Sequence, residues 1–318
     1  MTNTVDTIVS GDRASGDPAS GGRQPLPDPA PVPSRRMRNF LLYLRRNPTL
    51  IGGIGLLLVI ALFVVVGASV TDPTDAQPLA YRPSQPPSAE HWLGTDRLGK
   101  DILAVMVEGT PQTIRIGLIA GAIGVAIGTF LAFFSGYYGG ALDTIVRSVV
   151  DILRTIPALI VLVIIAISVP FQMSVEMMAL IVAALAWLGP TRVLRSQVLV
   201  MRQQSYVELA RFTGMSGPEI IVKEMMPNLM PFIVAVFVSA VSGEVLASIG
   251  LEALGLGPFE ANTLGMTIYW NIWYASLING WWWWWTPPII VIVMLFVGLF
   301  LVSQGLDEWA NPRLRKSV

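Results

Sequence analysis

Apolar residues in this chain fall in long blocks separated by polar, Gly- and Pro-containing stretches. A bilayer core about 30 Å thick takes about 20 apolar residues in a helix. Leu50–Val70 is the first block of that length, and it contains no charge. Further blocks run over about Ile114–Phe134, Ile145–Val169, Val175–Leu188, Pro231–Ile249 and Pro288–Val302, the fourth being the shortest. The pattern predicts an all-α polytopic membrane protein with six transmembrane helices and both termini on one side.

The basic residues give that topology a direction. Arg35, Arg36, Arg38, Arg45 and Arg46 precede the first block. Arg192, Arg195, Arg202, Arg211 and Lys223 lie between the fourth and fifth, and Arg313, Arg315 and Lys316 follow the sixth. Lys and Arg gather in cytoplasmic loops, so both termini are expected in the cytoplasm of a cell bounded by this inner membrane. The outer segments 169–174 and 251–287 have no Lys or Arg, and only the first outer loop breaks the pattern, with Arg82, Arg97 and Lys100. Residues 1–34 are rich in Gly, Pro, Ser and Asp, which predicts a disordered tail, and they lack the apolar run of a secretory signal.

Composition narrows the chemistry. Of 318 residues, 53% are hydrophobic and 13% charged, against about a quarter charged in soluble domains. The net charge is zero, which gives no reason to expect nucleic acid as a partner. There is no cysteine and one histidine, His91, so thiolate, disulfide and His-based zinc or general-base chemistry are excluded. A GxxxxGK[ST] phosphate loop is absent. The chain is expected to be no enzyme, with no catalytic residue, metal or cofactor of its own.

The segment Ser205–Pro227 is the most informative. Ser205 with Glu208, and Ser216 with Glu219, have the spacing of capping boxes at two helix starts. Gly214 falls where the first short helix must stop, and Pro218 suits the first turn of the second. The first helix is too short to be stable alone, so it is expected to dock on something.

Glu208-Leu-Ala210, Gly214 six residues after the glutamate and Met225-Met-Pro227 resemble the "EAA" loop of binding-protein-dependent ABC importer permeases, with Leu209 and Phe212 in place of alanines and Met226 in place of leucine. His91-Trp-Leu-Gly-Thr-Asp-Arg-Leu-Gly-Lys-Asp-Ile102 is similar to the "HWLGTDxxGRD" signature of dipeptide, oligopeptide and nickel permeases of the second-permease type. Leu254-Gly-Leu-Gly257 and the tail Gly305-Leu-Asp…Asn311-Pro-Arg313 are two further matches in the same order. The resemblance runs from about residue 36 to the C-terminus.

The resemblance implies a type I importer permease fold: a basic segment and first helix (35–70), an extracytoplasmic loop (71–110), a five-helix core (111–307) with a coupling loop at 200–228, and a tail (308–318). Ser205, Glu208, Ala210, Gly214, Ser216, Glu219 and Pro227 would couple to an ATPase. The implied partners are a second homologous permease, two ABC ATPase subunits holding ATP and Mg, an extracytoplasmic solute-binding protein and the lipid bilayer. The cargo would be a small oligomeric solute. Family members transporting peptides carry "SLSFLGLG" after a glutamate, whereas this chain reads Ser248-Ile-Gly-Leu-Glu-Ala-Leu-Gly-Leu-Gly257. That departure and the tryptophan run resemble an oligosaccharide branch, so peptide and oligosaccharide both stand. An ATP-independent channel or secondary carrier is the alternative.

Other residues carry open readings. Glu244, mid-block with no opposite charge within a turn, and Ser248 are candidates for lining the translocation path, and burial in a subunit contact is the other reading of Glu244. Glu252 is expected at the outer mouth, facing water. Trp281, Trp282, Trp283, Trp284 and Trp285 are expected to anchor the outer interface, with stacking on a sugar or peptide as the alternative. Asp143, Arg147, Asp151 and Arg154 are spaced as a self-neutralising ladder on one helix side. His91 is expected to be structural.

Overall fold

In a computed structural model, residues 47–170 and 172–310 are described. The N-terminal tail, the five leading arginines and Asn311-Pro-Arg313 lie outside them. Among the described residues there are eleven α-helices and no named strand. Thr95 and Asp101 form an isolated antiparallel bridge.

Helix α1 (Pro48–Val70) begins where Asn47 accepts from the Leu50 N–H at 3.1 Å, with Pro48 in the first turn. The Asn47 amide also donates to Glu308 at 2.8 Å, fastening α1 to the end of the last helix, α11 (Trp282–Ala310). These two helices pack along their lengths, and a Cβ on Gly53 would run into the backbone of Gly298 and Val302.

Helix α2 (Ile102–Tyr138) is the axis of the molecule. Its 37 residues span about 55 Å, more than a bilayer core requires. One side carries Gly117 and Gly121, against Val245 and Val241 of α9 (Met226–Ala253). Another carries Gly124, Gly128 and Gly136, against Ala186, Pro190 and Val198 of α5 (Val175–Ala186) and α6 (Leu188–Met201). Small residues let backbones approach closely where lipid removes the usual hydrophobic drive between helices.

The four unbroken long helical runs are α1, α2, residues 217–253 and α11, and the two remaining spans are each bent. The block at 145–169 is not one straight helix. It consists of α3 (Gly140–Thr155) and α4 (Ala158–Ser168), meeting at 86°. Pro157 explains the break, because a residue before proline is held out of the helical region, and Ile156 is extended. Likewise α5 and α6 meet at 41° beside Pro190, which has no N–H for the Ala186 carbonyl. Counting each bent pair as one span gives the six expected.

The outer segment 251–287 is not a loop. Helix α10 (Leu264–Trp273) folds back between α9 and α11, inside a cluster that includes Tyr269, Trp270, Tyr274 and Trp284.

Candidate functional site

At the end of the bundle where α2 stops, residues 202–227 form a protruding knob. Helix α7 (Ser205–Phe212) turns through Gly214 into α8 (Gly217–Ile220). Gly214 has φ +83°. The Met215 N–H donates to the Ala210 carbonyl at 3.1 Å and the Gly214 N–H to the Arg211 carbonyl at 3.0 Å. Those are the two bonds of a Schellman closure, and the glycine sits at the left-handed position expected of it.

The helix starts differ from the expected capping boxes. Gln204 is the N-cap of α7, one residue earlier than Ser205, and its side chain makes no cap bond. Ser216 is the N-cap of α8, also without a side-chain cap bond. Glu219 instead pairs with Lys223 at 2.6 Å along the helix. Ser205 and Glu208 are exposed.

Packing defines two sides of the knob. Val207 and Ala210 are buried with Phe133 and Tyr137 of α2, Leu194 and Val198 of α6, and Ile220, Ile221 and Met225. Arg211 lies 5.1 Å over the Tyr137 ring, a cation–π contact that fixes the helix on the end of α2. The other side exposes Leu209 at 64% and Phe212 at 88%. Two large apolar side chains directed to solvent beside a buried anchor leave an apolar patch on the knob. Burial, helped by the nearby Glu224 charge, pushes the Tyr206 hydroxyl above its ordinary pKa.

Beyond α8 the chain makes one π turn, Ile221–Met225, in which the Met226 N–H reaches back five residues to the Ile221 carbonyl. Pro227 is the cause: its ring cannot fit under a regular turn, and it has no N–H for the carbonyl four residues back. Pro227 therefore acts at the junction between knob and span.

Farther along α9, Glu244 faces a cavity of about 510 Å³ that also receives Asp307 of α11, with Gly189, Pro190, Phe232 and Ser239 in its wall. Neither carboxylate has an ion-pair partner among the described residues. Ser248 is fully buried and donates to its own helix at the Val245 carbonyl, 2.9 Å away, so it does not join Glu244 in this cavity. Asp307 stands in the sequence only as part of the tail match, and its place beside Glu244 arises from folding, which brings the end of α11 against α9.

The opposite end of the bundle is held by buried polar groups. His91 is buried and its Nδ1 lies 2.9 Å from Asp101 Oδ2, while Asp101 Oδ1 caps α2 through the Ala104 N–H. No group of three or more potential metal ligands occurs among the described residues. Thr95 donates to the Arg82 carbonyl at 2.7 Å, and Asp96 accepts from the Leu98 and Lys100 N–H groups at 2.8 Å. The 91–102 signature is thus a folding motif that seats residues 71–101 on α2.

Glu252 does not face water. It is fully buried and accepts from Thr263 Oγ1 at 2.6 Å, at the N-terminus of α10, while its Oε1 has no partner. It locks α10 onto the end of α9, a role its sequence position did not reveal because Thr263 is eleven residues away.

The tryptophan run is divided. Trp282 is 57% exposed, Trp281, Trp283 and Trp285 are half-buried, and Trp284 is 2% exposed in a core with Ala76, Ile102, Met106 and Leu264. The charged ladder is also not self-contained. Arg147 approaches Asp151 at 3.6 Å, but Asp143 pairs across to Arg195 of α6 at 2.5 and 2.6 Å.

Comparison with known proteins gives consistent matches. The family model described as "Binding-protein-dependent transport system inner membrane component" matches residues 124–316. The oligopeptide transport system permease protein OppC of Mycobacterium tuberculosis is 29% identical over 54% of this chain and 60% of its own. The chain thus spans about three-fifths of that relative's length. The dipeptide transport system permease protein DppC of Bacillus subtilis is 27% identical over 86% of this chain and 84% of its own. The glutathione transport system permease protein GsiD of Pectobacterium atrosepticum is 32% identical over 68% and 71%. A solved structure, of inward-facing conformations of the MetNI methionine ABC transporter, shares the fold with a TM-score of 0.51 and 18% identity, covering 64% of this chain and 94% of that one.

Proposed function

Because the chain belongs to the family of binding-protein-dependent transport system inner membrane components, we propose that it is the permease subunit of an ATP-driven importer, supplying half of a translocation path. The observation that carries this reading is the knob: a glycine-closed helical turn anchored on α2 and α6, with Leu209 and Phe212 left bare. A channel or secondary carrier has no use for such a surface.

The surface would dock in a groove of a separate ABC ATPase subunit. ATP and Mg would be held there, in two copies, and the path would be completed by a second homologous permease. An extracytoplasmic solute-binding protein would deliver cargo to the end built from residues 71–101 and 254–281. Both termini would lie in the cytoplasm. Nucleic acid has no part in this scheme.

The mechanism follows from the packing. Val207 and Ala210 share one core with Phe133 of α2, Leu194 of α6 and Leu229 of α9, so a push on α7 would reach all three helices together. The bent pairs α3–α4 and α5–α6 are where straight spans give way to hinges. Glu244 and Asp307 would line the path on the knob side of the bundle. The relatives are named for oligopeptides, dipeptides and glutathione, which favours a peptide cargo over an oligosaccharide.

The test is reconstitution in liposomes with candidate subunits. ATP-dependent uptake of a labelled oligopeptide, abolished by deleting residues 205–219 while the chain stays in the membrane, supports the proposal. Uptake by this chain alone without ATP overturns it. Uptake of β-glucan oligomers in place of peptides overturns the cargo assignment only.

A further inference from the structure

Helix α3 has two opposite sides. Leu142, Ile145, Val149 and Ile152, spaced by three and four residues, form one, and all are 42–63% exposed. Asp143, Arg147, Asp151 and Arg154 form the other, and Val150 is the helix's buried residue. At its end the chain turns by 86° into α4, an apolar helix without a charge. Within this bent span α3 is the amphipathic arm and α4 the apolar one, so where α4 enters the bilayer α3 turns along the interface, apolar side in the acyl layer and charged side among headgroups.

The charged side overlooks a cleft of about 310 Å³ between α3 and α6, lined by Arg147, Asp151, Thr191, Arg192 and Arg195 together with Val146 and Val150. Its charges do not cancel. Arg195 is matched by Asp143 through two hydrogen bonds. Arg147 reaches Asp151 only at 3.6 Å, too long for a hydrogen bond. Arg192 is exposed and makes no ion pair among the described residues, and the same holds for Arg154, one turn beyond Asp151 on α3.

The geometry points to a site for the phosphate headgroup of an anionic phospholipid in the cleft between α3 and α6. A guanidinium donates two parallel N–H bonds to phosphate oxygens, and basic clefts between membrane helices collect anionic headgroups. The apolar side of α3 sets the depth: with that side in the acyl layer, Arg147 and Arg192 stand at the level of the lipid phosphates. A soluble anion accounts for the arginines but not for the exposed apolar row beneath them. Only the choice of leaflet, the cytoplasmic one, rests on the orientation given under the proposed function.

The experiment uses the full chain with its co-purifying subunits, in nanodiscs of phosphatidylcholine with a minor fraction of phosphatidylglycerol, and counts retained lipids by native mass spectrometry. Phosphatidylglycerol is expected to be enriched about twenty-five-fold over its bulk share, from two basic residues at about fivefold each. Arg192→Gln lowers the enrichment about fivefold, as for one basic residue at a lipid surface, and Arg147→Gln/Arg192→Gln abolishes it. Arg115→Gln, whose arginine pairs with Glu176 near the other end of the bundle, leaves it unchanged. Circular dichroism establishes that each variant is folded. Equal retention in wild type and the double variant overturns the site. Enrichment in the isolated chain that vanishes in the complete complex makes the cleft a subunit contact and overturns it too. So does stabilisation by inorganic phosphate equal to that by phosphatidylglycerol vesicles. Failure of ATP-driven uptake is a separate readout and touches only the proposed function.

Discussion

Lys100 Nζ donates to Asn262 Oδ1 at 2.7 Å, joining the segments 71–101 and 254–264 across 162 residues. The same amide donates from Nδ2 to the Ala76 carbonyl at 3.1 Å and to Glu108 at 2.8 Å. One neutral side chain thus mediates between a buried cation, a carboxylate and a backbone oxygen. Asn262→Ala takes this partner from Lys100 and the Ala76 carbonyl and leaves Glu108 with Gln112 alone, and buried groups left without partners cost about 1–3 kcal/mol each. The expected outcome is a large loss of thermal stability at the outer end, read as faster hydrogen exchange in 71–101 and 254–264, with the 205–227 knob unaffected.

Asp96 gives the outer loop a pH dependence. Burial pushes its carboxyl up to about 6 from an ordinary 3.8, against the pull of the Lys100 and Leu98 N–H groups and the Lys100 ammonium. A carboxyl with a raised pKa holds its proton more tightly in the folded chain. Its contribution to stability is therefore full below about pH 4 and lost as pH rises through about 6, roughly 2–3 kcal/mol in all. Exchange of the Leu98 and Lys100 amides should slow as pH falls across that window, after correction for intrinsic rates. Asp96→Asn keeps the accepting Oδ1 and should flatten the profile; an unchanged slope would assign it to another group.

Gly214 separates backbone strain from sterics. A Cβ there meets nothing within 4 Å, yet φ is +83°. Gly214→Ala should cost about 1 kcal/mol of local stability, from the left-handed conformation alone. Gly214→Asn should cost less, since asparagine tolerates that region. Cargo-stimulated ATP hydrolysis by the assembled complex is expected to fall in the same order, with the amount of membrane-inserted chain unchanged.

Leu209→Ser/Phe212→Ser tests the bare side of the knob. Both side chains are exposed, so the change should alter the chain's own stability by less than about 0.5 kcal/mol. Co-purification of an ATPase subunit should nevertheless drop at least tenfold, because desolvated apolar anchors dominate interface energies. Undiminished co-purification would move the docking surface elsewhere.

The spans were legible because their cause is local: about twenty apolar residues with no charge have few other ways to fold. Gly214 was legible for the same reason, as a turn needs its glycine wherever the rest of the chain lies. The breaks at Ile156 and Trp187 were less so, although Pro157 and Pro190 mark them, because hydropathy averages across a bend. Glu252, Asp307 and Asn262 were not legible in their roles. Each acquires its role from a residue or cavity wall brought near only by folding, as Thr263 is to Glu252 and Lys100 to Asn262. The charged residues of α3 show the limit most plainly. Their spacing pointed to pairing among themselves, and the better partner for Asp143 was Arg195, fifty-two positions away.

Helix α2 ends among the knob residues at Tyr137 and begins among the outer-loop residues at Ile102, with no break longer than its single early proline, Pro111. A continuous rod fixed at both ends behaves as an axle. In the proposed importer its two ends would not move independently, so a displacement imposed at the knob would be felt at the other end within the same stroke, without a relay of intermediate contacts. Gly117, Gly121, Gly124 and Gly128 let α9, α5 and α6 lie directly against its backbone.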